Sequence, residues 1–164
     1  MFTAYNNLPN TSRIWIYQSN RELTQEEIAI ITLKTKDFVT HWTRHGDDVK
    51  GSFTIKYNHF LVLAVDENFN AVSGCSIDAS VRFIQQLEKE FTIDFTNKLN
   101  VSFKDEESVN IVKLSQFQQF IKDKKIHANT TVFNNLVQTK EDFETKWETT
   151  ASKSWHQQFL IAER

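Results

Sequence analysis

Glycine, proline and cysteine are all rare in this sequence. Its 164 residues include one proline, one cysteine and three glycines, at positions 46, 51 and 74. A nucleotide-binding loop needs a glycine-rich segment that ends in Gly-Lys-Ser or Gly-Lys-Thr and surrounds the phosphates. No such segment is present, so we do not expect an ATPase. Because Gly/Pro-rich linkers are also lacking, we predict a single compact domain over residues 1–164.

The sequence also lacks the features of an exported or membrane protein. Its only cysteine, Cys75, cannot form an intrachain disulfide, which agrees with a reducing compartment. Residues 1–10 contain neither the basic nor the apolar segment of a signal peptide. No apolar run approaches the ~20 residues that span a bilayer. We therefore expect a cytoplasmic protein without a membrane partner.

No excess of positive charge is present. The chain has 19 Lys and Arg residues against 21 Asp and Glu residues, a formal net charge of −2. Proteins that bind nucleic acids carry a basic patch or stripe. We therefore expect no nucleic-acid partner.

Four short segments have the composition of β-strands. Residues 13–18 and 60–65 are apolar on both alternating faces, which is typical of central strands. Residues 52–57 and 101–103 alternate between polar and apolar side chains, which is typical of edge strands. We expect Asn58 and His59 to form a two-residue turn between the second and third strands.

Two helices are predicted between these strands. Thr24 and Glu27 have the spacing of a capping box, which opens a helix over about 25–44. Ser76 is the expected N-cap of a second helix that continues to Phe91, with Asp78 in its first turn.

The resulting order is strand, helix, strand, strand, helix, strand. This is the split βαβ or ferredoxin-like plan, an α+β fold with an antiparallel sheet and two helices on one face. The core of this plan covers about residues 12–104. Since both central strands are apolar on both faces, we expect the other face to be covered by an α/β extension of residues 109–164, by a second subunit, or by both. In it we predict strands at 109–112 and 131–133 and helices that begin at Ser115 and Thr139.

A family resemblance accompanies these patterns. It rests on LP at 8–9, RIWIYQ at 13–18, YN at 57–58, AVDE at 64–67, SGCSID at 73–78 and VFNNLV at 132–137. With these segments the chain resembles, over nearly its whole length, a family of small uncharacterised bacterial proteins, widespread in Bacteroidota, often labelled "ABC transporter ATPase". The shortage of glycine contradicts that label. The family has no established activity, so the resemblance implies no catalytic residue.

Cys75 is the strongest candidate for chemistry. It lies at the predicted start of the second helix, where free N–H groups and the helix dipole lower a thiol pKa. Asp78 would orient it, and His45 or His59 would serve as the base. The alternative is a structural Cys75 that fills the junction between helix and sheet.

Other polar and aromatic residues are candidates for binding. Trp15 and Tyr17 share one strand face and would line a pocket or interface, or else be buried under the C-terminal segment. The remaining candidates lie in turns, where side-chain hydrogen bonds to the backbone are the alternative. The candidate binding residues are Trp15, Tyr17, Asn58, Asp66, Ser73, Asn134 and Asn135.

His41 and His45 are one helical turn apart, the spacing of two metal ligands on one helix face. No third ligand accompanies them, so we expect a polar helix end. The sequence predicts no metal and no cofactor.

Taken together, these features favour a non-catalytic cytosolic binding or regulatory protein that binds a protein partner or forms a homodimer. The alternative is a small thiol-dependent enzyme or redox sensor that uses Cys75. An exposed apolar patch with an inert thiol would favour the first, and a pocket that opens onto a low-pKa Cys75 would favour the second.

Overall fold

A computed structural model describes residues 1–161 and shows a mixed α/β protein with antiparallel sheets and, within this range, five α-helices. The α+β class is therefore confirmed. The strands are β1 (Arg13–Gln18), β2 (Thr43–Arg44), β3 (Asp47–Asp48), β4 (Gly51–Lys56), β5 (Phe60–Val65), β6 (Asn100–Asp105), β7 (Ser108–Lys113), β8 (Thr131–Phe133) and β9 (Glu148–Thr150). The helices are α1 (Gln25–Thr40), α2 (Gly74–Phe91), α3 (Leu114–Lys122), α4 (Lys140–Lys146) and α5 (Gln157–Ile161).

The chain forms two compact units. Unit 1 consists of Met1–Thr96 together with Gln138–Glu141, and unit 2 consists of Asn97–Val137 together with the residues from Asp142 onward. The predicted single domain and the predicted covering role of residues 109–164 stay predictions.

Unit 1 contains a three-stranded antiparallel sheet in the order β1-β5-β4. All six residues of β5 are buried, which confirms its central position. The predicted central position of β1 is wrong, because β1 is the first strand of this sheet. Beyond β1, within the described residues, the sheet continues only as an isolated bridge between Arg13 and Thr139.

The predicted fourth strand of this sheet lies elsewhere. β6 pairs with β7 over six residues, from Asn100 opposite Lys113 to Asp105 opposite Ser108. A tight turn with Glu106 at φ 56° joins the two strands. On its other edge β6 pairs with β8, where Phe103 lies opposite Val132, so both neighbours of β6 belong to unit 2. The prediction of β6 as an edge of the first sheet is wrong, and the ferredoxin-like arrangement is not confirmed.

The end of α1 and the length of the β4–β5 loop also differ from expectation. α1 ends at Thr40 because residues 43–48 form the β2–β3 hairpin, whose turn has His45 and Gly46 at φ 51° and 88°. Left-handed conformations at both turn positions suit the twist of a two-residue hairpin. The loop between β4 and β5 has three residues, of which Tyr57 and Asn58 have positive φ.

Unit 2 contains a four-stranded sheet in the order β7-β6-β8-β9. Its core is an apolar cluster in which Val101, Phe103 and Val132 from the strands pack with Phe117 and Ile121 from α3. The prediction that Ser115 caps α3 is wrong, since the N-cap position is Lys113, whose side chain makes no capping hydrogen bond within the described residues.

Candidate binding site

α1 and α2 pack side by side in unit 1 and run antiparallel. Near one end, Lys34 Nζ lies 3.2 Å from Glu90 Oε2. Near the other, Trp42 Nε1 donates to the Ser76 carbonyl oxygen at 2.9 Å. Since residue numbers rise along one helix and fall along the other, the two helices point in opposite directions. Their contact places Lys34, on α1, and Ser76, on α2, at opposite ends of one helix pair.

Two phenylalanines join the helices between these contacts. Phe38 of α1 and Phe83 of α2 stack with ring centroids 4.6 Å apart and planes 7° apart. Trp42 follows, with its ring centroid 5.0 Å from that of Phe38. Aromatic pairs at these distances add to the stabilisation from burial. They fix the spacing of the two helices.

A groove lies along this helix pair, with a volume of about 460 Å³. That volume lies within the range of ligand-binding clefts. Its smallest lining side chain is Ala79, which leaves space next to much larger lining residues. The groove is lined by Lys34, Asp37, Phe38, His41, Trp42, Thr43, Ala79, Phe83, Gln86, Leu87 and Glu90.

The charged side chains of the groove are paired at its margins. Besides the Lys34–Glu90 pair, His41 Nδ1 lies 3.4 Å from Asp37 Oδ1 and 2.9 Å from the Asp37 carbonyl oxygen. All four side chains are substantially exposed. The groove therefore combines an apolar base with margins that carry both signs of charge.

Two exposed apolar residues extend the groove along α1. Leu33 is 71% exposed and Ile30 is 42% exposed. They lie one helical turn before the lining residues Asp37 and Lys34, and residues four apart share a helix face. Together with the groove they form a continuous stretch of apolar surface along α1.

Cys75 is exposed and is the second residue of α2. The prediction of Ser76 as N-cap is wrong. Ser73 is the cap: its Oγ accepts from Ser76 N at 3.2 Å, and Ser76 Oγ accepts from Ser73 N at 2.7 Å. Asp78 consequently lies beyond the first turn. Cys75 is one turn before Ala79, on the α2 stripe that lines the groove.

The residues proposed to orient or deprotonate Cys75 form no hydrogen bond or ion pair with it within the described part of the chain. Among residues 1–161, Cys75 has no hydrogen bond or ion pair to Asp78 or to His45, which lies exposed in the β2–β3 turn. His59 is buried, and its Nδ1–H donates to the Tyr57 carbonyl oxygen at 2.7 Å. The catalytic role of Cys75, Asp78 and His45 stays a hypothesis.

The expected helical pair of His41 and His45 does not form, because α1 ends at Thr40 and His45 belongs to the following hairpin. In the described part of the chain, no group of three or more His, Cys, Asp or Glu side chains is placed to hold a metal ion.

Trp15 and Tyr17 both pack against the apolar clusters of unit 1. The Arg13 guanidinium lies 4.8 Å from the ring centroid of Trp15. Burial raises the pKa of the Tyr17 hydroxyl, which a hydrogen bond with Ser80 partly offsets. Their contacts are those of partly buried packing residues.

The predicted binding residues in turns make local hydrogen bonds. Asp66 Oδ1 accepts from Asn68 N at 3.0 Å, and Asn58 lies in the left-handed turn before β5. In unit 2, Asn135 Oδ1 accepts from Trp147 Nε1 at 2.8 Å, and Asn134 Oδ1 accepts from Leu136 N at 3.2 Å. These are the bonds by which such side chains stabilise turns.

Unit 2 has a cavity of its own, with a volume of about 610 Å³, between the β6–β7 hairpin and the segment after α3. Phe103 and Phe120 meet edge to face in its wall, and Lys125 lies over the Phe120 ring. Lys104 pairs with Glu148 at 2.8 Å. Both lysines of the cavity therefore have partners within unit 2, and the acidic residues Asp105 and Glu106 also line it.

The groove residues were missed because the sequence shows only that Phe38 and Trp42 belong to an apolar helix stripe. Ala79 carries no signal of its own. One sequence signal for the groove was available in α1. Ile31, Thr35 and Val39 form the buried face of this helix, and Ile30 and Leu33 are apolar although they lie outside that face.

Comparison with protein-family models, curated proteins and solved structures finds no match to this chain. Over residues 1–161, none of the helices combines the length and apolar character needed to cross a bilayer.

Proposed function

We propose that the protein is a non-catalytic cytosolic binding protein and that the groove of unit 1 receives the apolar face of a partner protein's helix. Membership of the bacterial family that the sequence resembles is part of this proposal. The observation that carries it is the 460 Å³ groove next to exposed Leu33 and Ile30.

The shape of the groove favours a helix over a small molecule. A cleft between two antiparallel helices is elongated, and a third helix packs into such a cleft with its i, i+3 and i+4 side chains. A small ligand would leave Leu33 in water, whereas a helix that lies along α1 would cover it.

Site-specific photocrosslinking in the cells that make this protein tests the proposal. Leu33 is replaced by a benzophenone amino acid, and the full chain is irradiated. We expect one covalent adduct of discrete mass. Ala79→Phe, which fills the groove, and Gln86→Trp, which adds bulk at its exposed margin, should each remove this adduct while the melting temperature stays close to that of the parent chain.

Val81 provides the matched control position, since it is an exposed apolar residue of α2 that does not line the groove. A benzophenone at position 81 should give no adduct. Absence of an adduct at position 33, or an adduct that both groove-filling variants retain, would overturn the proposed function.

The exposure of Cys75 favours a second candidate, a thiol-dependent enzyme or redox sensor. This reading requires that iodoacetamide at pH 7 label Cys75 faster than an unstructured cysteine. A rate equal to that of a cysteine in a short peptide would remove this candidate and leave the binding function in place.

A further inference from the structure

We propose that the helix received by the groove is α1 of a second copy of this chain, so that two copies pair through antiparallel α1 helices about a twofold axis. This inference rests on the proposed function and names its partner.

The side chains on the groove side of α1 are self-complementary. In a twofold antiparallel pair with its axis at the midpoint between Thr35 and Lys36, residues at equal distances before and after that point face each other. Lys34 then faces Asp37 of the other copy, Leu33 faces Phe38, and Ile30 faces His41. A single register thus pairs opposite charges and brings both exposed apolar residues to the groove.

In this register, opposite charges face each other at two places in the dimer. The twofold axis creates two Lys34–Asp37 ion pairs for each dimer. Within each copy Lys34 already lies 3.2 Å from Glu90, so it would lie between two carboxylates. Within residues 1–161, the ion pair of Asp37 is with His41. Charge complementarity of this kind selects one register and suppresses others.

The apolar part of the register gives the contact its expected strength. Leu33, 71% exposed in the single chain, would enter the groove of the other copy beside Phe38 and Ala79. Removing an exposed leucine side chain from water contributes about 1.5–3 kcal/mol to such a contact. If the partner were a helix of an unrelated protein, the charges of α1 would not need to complement one another.

The test measures the mass of the full chain in solution by light scattering and sedimentation equilibrium over a range of concentrations. We expect a dimer for the parent chain. Leu33→Lys, at a position exposed in the single chain, should give a folded monomer with an unchanged melting temperature.

Charge reversal distinguishes this register from any other dimer. Lys34→Asp and Asp37→Lys should each weaken dimerisation at least about tenfold, because each places like charges opposite each other twice. Combining both substitutions in one chain restores the pairing and should return the dimer to near its original strength. Lys89→Asp, on the same helix pair but outside the groove, should leave dimerisation unchanged.

A monomer at roughly 100 µM, or a dimer that the double variant fails to rescue, would overturn this inference. In that case a photocrosslink from position 33 to a different protein would still support the proposed function, whereas no crosslink at all would overturn both.

Discussion

His156 is the residue whose burial has the clearest consequence. Its side chain has no solvent exposure, and its ring stacks on Trp155 with centroids 3.8 Å apart. Nδ1 lies 2.8 Å from Ser154 Oγ, while Nε2 has no hydrogen-bond partner among the residues that the structure describes. Because burial disfavours the charged imidazolium, the pKa of His156 is lowered to about 4.

This lowered pKa predicts a loss of stability in acid. Above pH 6.5 His156 is neutral in both the folded and the unfolded chain. Between pH 6.5 and pH 4 only the unfolded chain takes up the proton, so the free energy of unfolding falls, by up to about 3 kcal/mol at pH 4. Urea unfolding between pH 7 and pH 4 measures this loss.

Since glutamine does not titrate, His156→Gln should reduce the slope of the free energy of unfolding against pH. Ser154→Ala leaves the histidine buried and should leave this slope unchanged. Equal slopes for the parent chain and His156→Gln would contradict the prediction.

Side-chain identity alone did not reveal which residues serve binding. The sequence predicts Ser73, Asp66, Asn134 and Asn135 as binding residues, and each makes a hydrogen bond to nearby backbone or side-chain groups. The same oxygen atoms suit both roles, because a turn or cap presents N–H groups as a ligand does. The neighbours in space decide between them.

At the scale of elements, the start of α1 is held by both local and long-range bonds. Glu27 accepts from Thr24 N at 2.9 Å, which confirms the predicted capping box. Arg21 donates to both carboxylate oxygens of Glu27, at 2.8 and 2.7 Å, and also to the Phe91 carbonyl oxygen at the end of α2. The hydrogen bonds from Arg21 and Thr24 lower the pKa of Glu27 to about 2.

Glu27→Gln should therefore lower the free energy of unfolding at pH 7 by about 1 kcal/mol or more, because it weakens the capping box and the bidentate pair together. The contribution of a carboxylate with a lowered pKa is complete above pH 4.5 and is lost as the pH falls toward 2. The difference between Glu27→Gln and the parent chain should disappear over that range in urea unfolding.

Glu26→Gln is the matched control, since Glu26 lies exposed in the same helical turn. A loss as large as that of Glu27→Gln would show that charge near the helix end, and not the capping box, is responsible.

The strands show what hydrophobic periodicity in the sequence can and cannot predict. β1 and β5 were predicted at their observed bounds, because runs of β-branched and aromatic residues identify a strand locally. Periodicity carries no information on the pairing partner. Thus β6 was recognised as a strand but assigned to the wrong sheet, and β9 and the β2–β3 hairpin, which are only two or three residues long, were not recognised.

At the scale of the whole molecule, a buried lysine ties distant parts of unit 1 together. Lys140 Nζ donates to the carbonyl oxygens of Leu8 at 2.8 Å and Tyr5 at 3.2 Å, across more than 130 residues of sequence. The backbone continues the contact, since Lys140 N donates to Ser12 O and Ile14 N donates to Gln138 O. These bonds place residues 138–141 beside the start of β1.

Lys140→Ala should therefore lower the free energy of unfolding by about 2 kcal/mol or more, because two carbonyl oxygens lose a charged donor. Lys140→Met keeps most of the aliphatic packing and should lose a similar amount if the hydrogen bonds dominate. Lys146→Ala removes a largely exposed lysine from a surface pair with Asp142 and should change stability by less than about 0.5 kcal/mol. Urea unfolding with equal losses at positions 140 and 146 would contradict this assignment.

The sequence by itself determined the α+β class, the positions of the longer strands and helices, the capping box at Thr24 and the central place of β5, because each depends on residues close together along the chain. Only the tertiary structure decided which strands pair and where a groove opens. β6 pairs with β7 on one edge and with β8 on the other, and the residue pattern within β6 specifies neither partner. Phe38 lines the groove from α1, and Ala79 and Phe83 line it from α2, some 40 residues later in the sequence. Because local sequence patterns do not specify which helices pack together, they could not predict the groove.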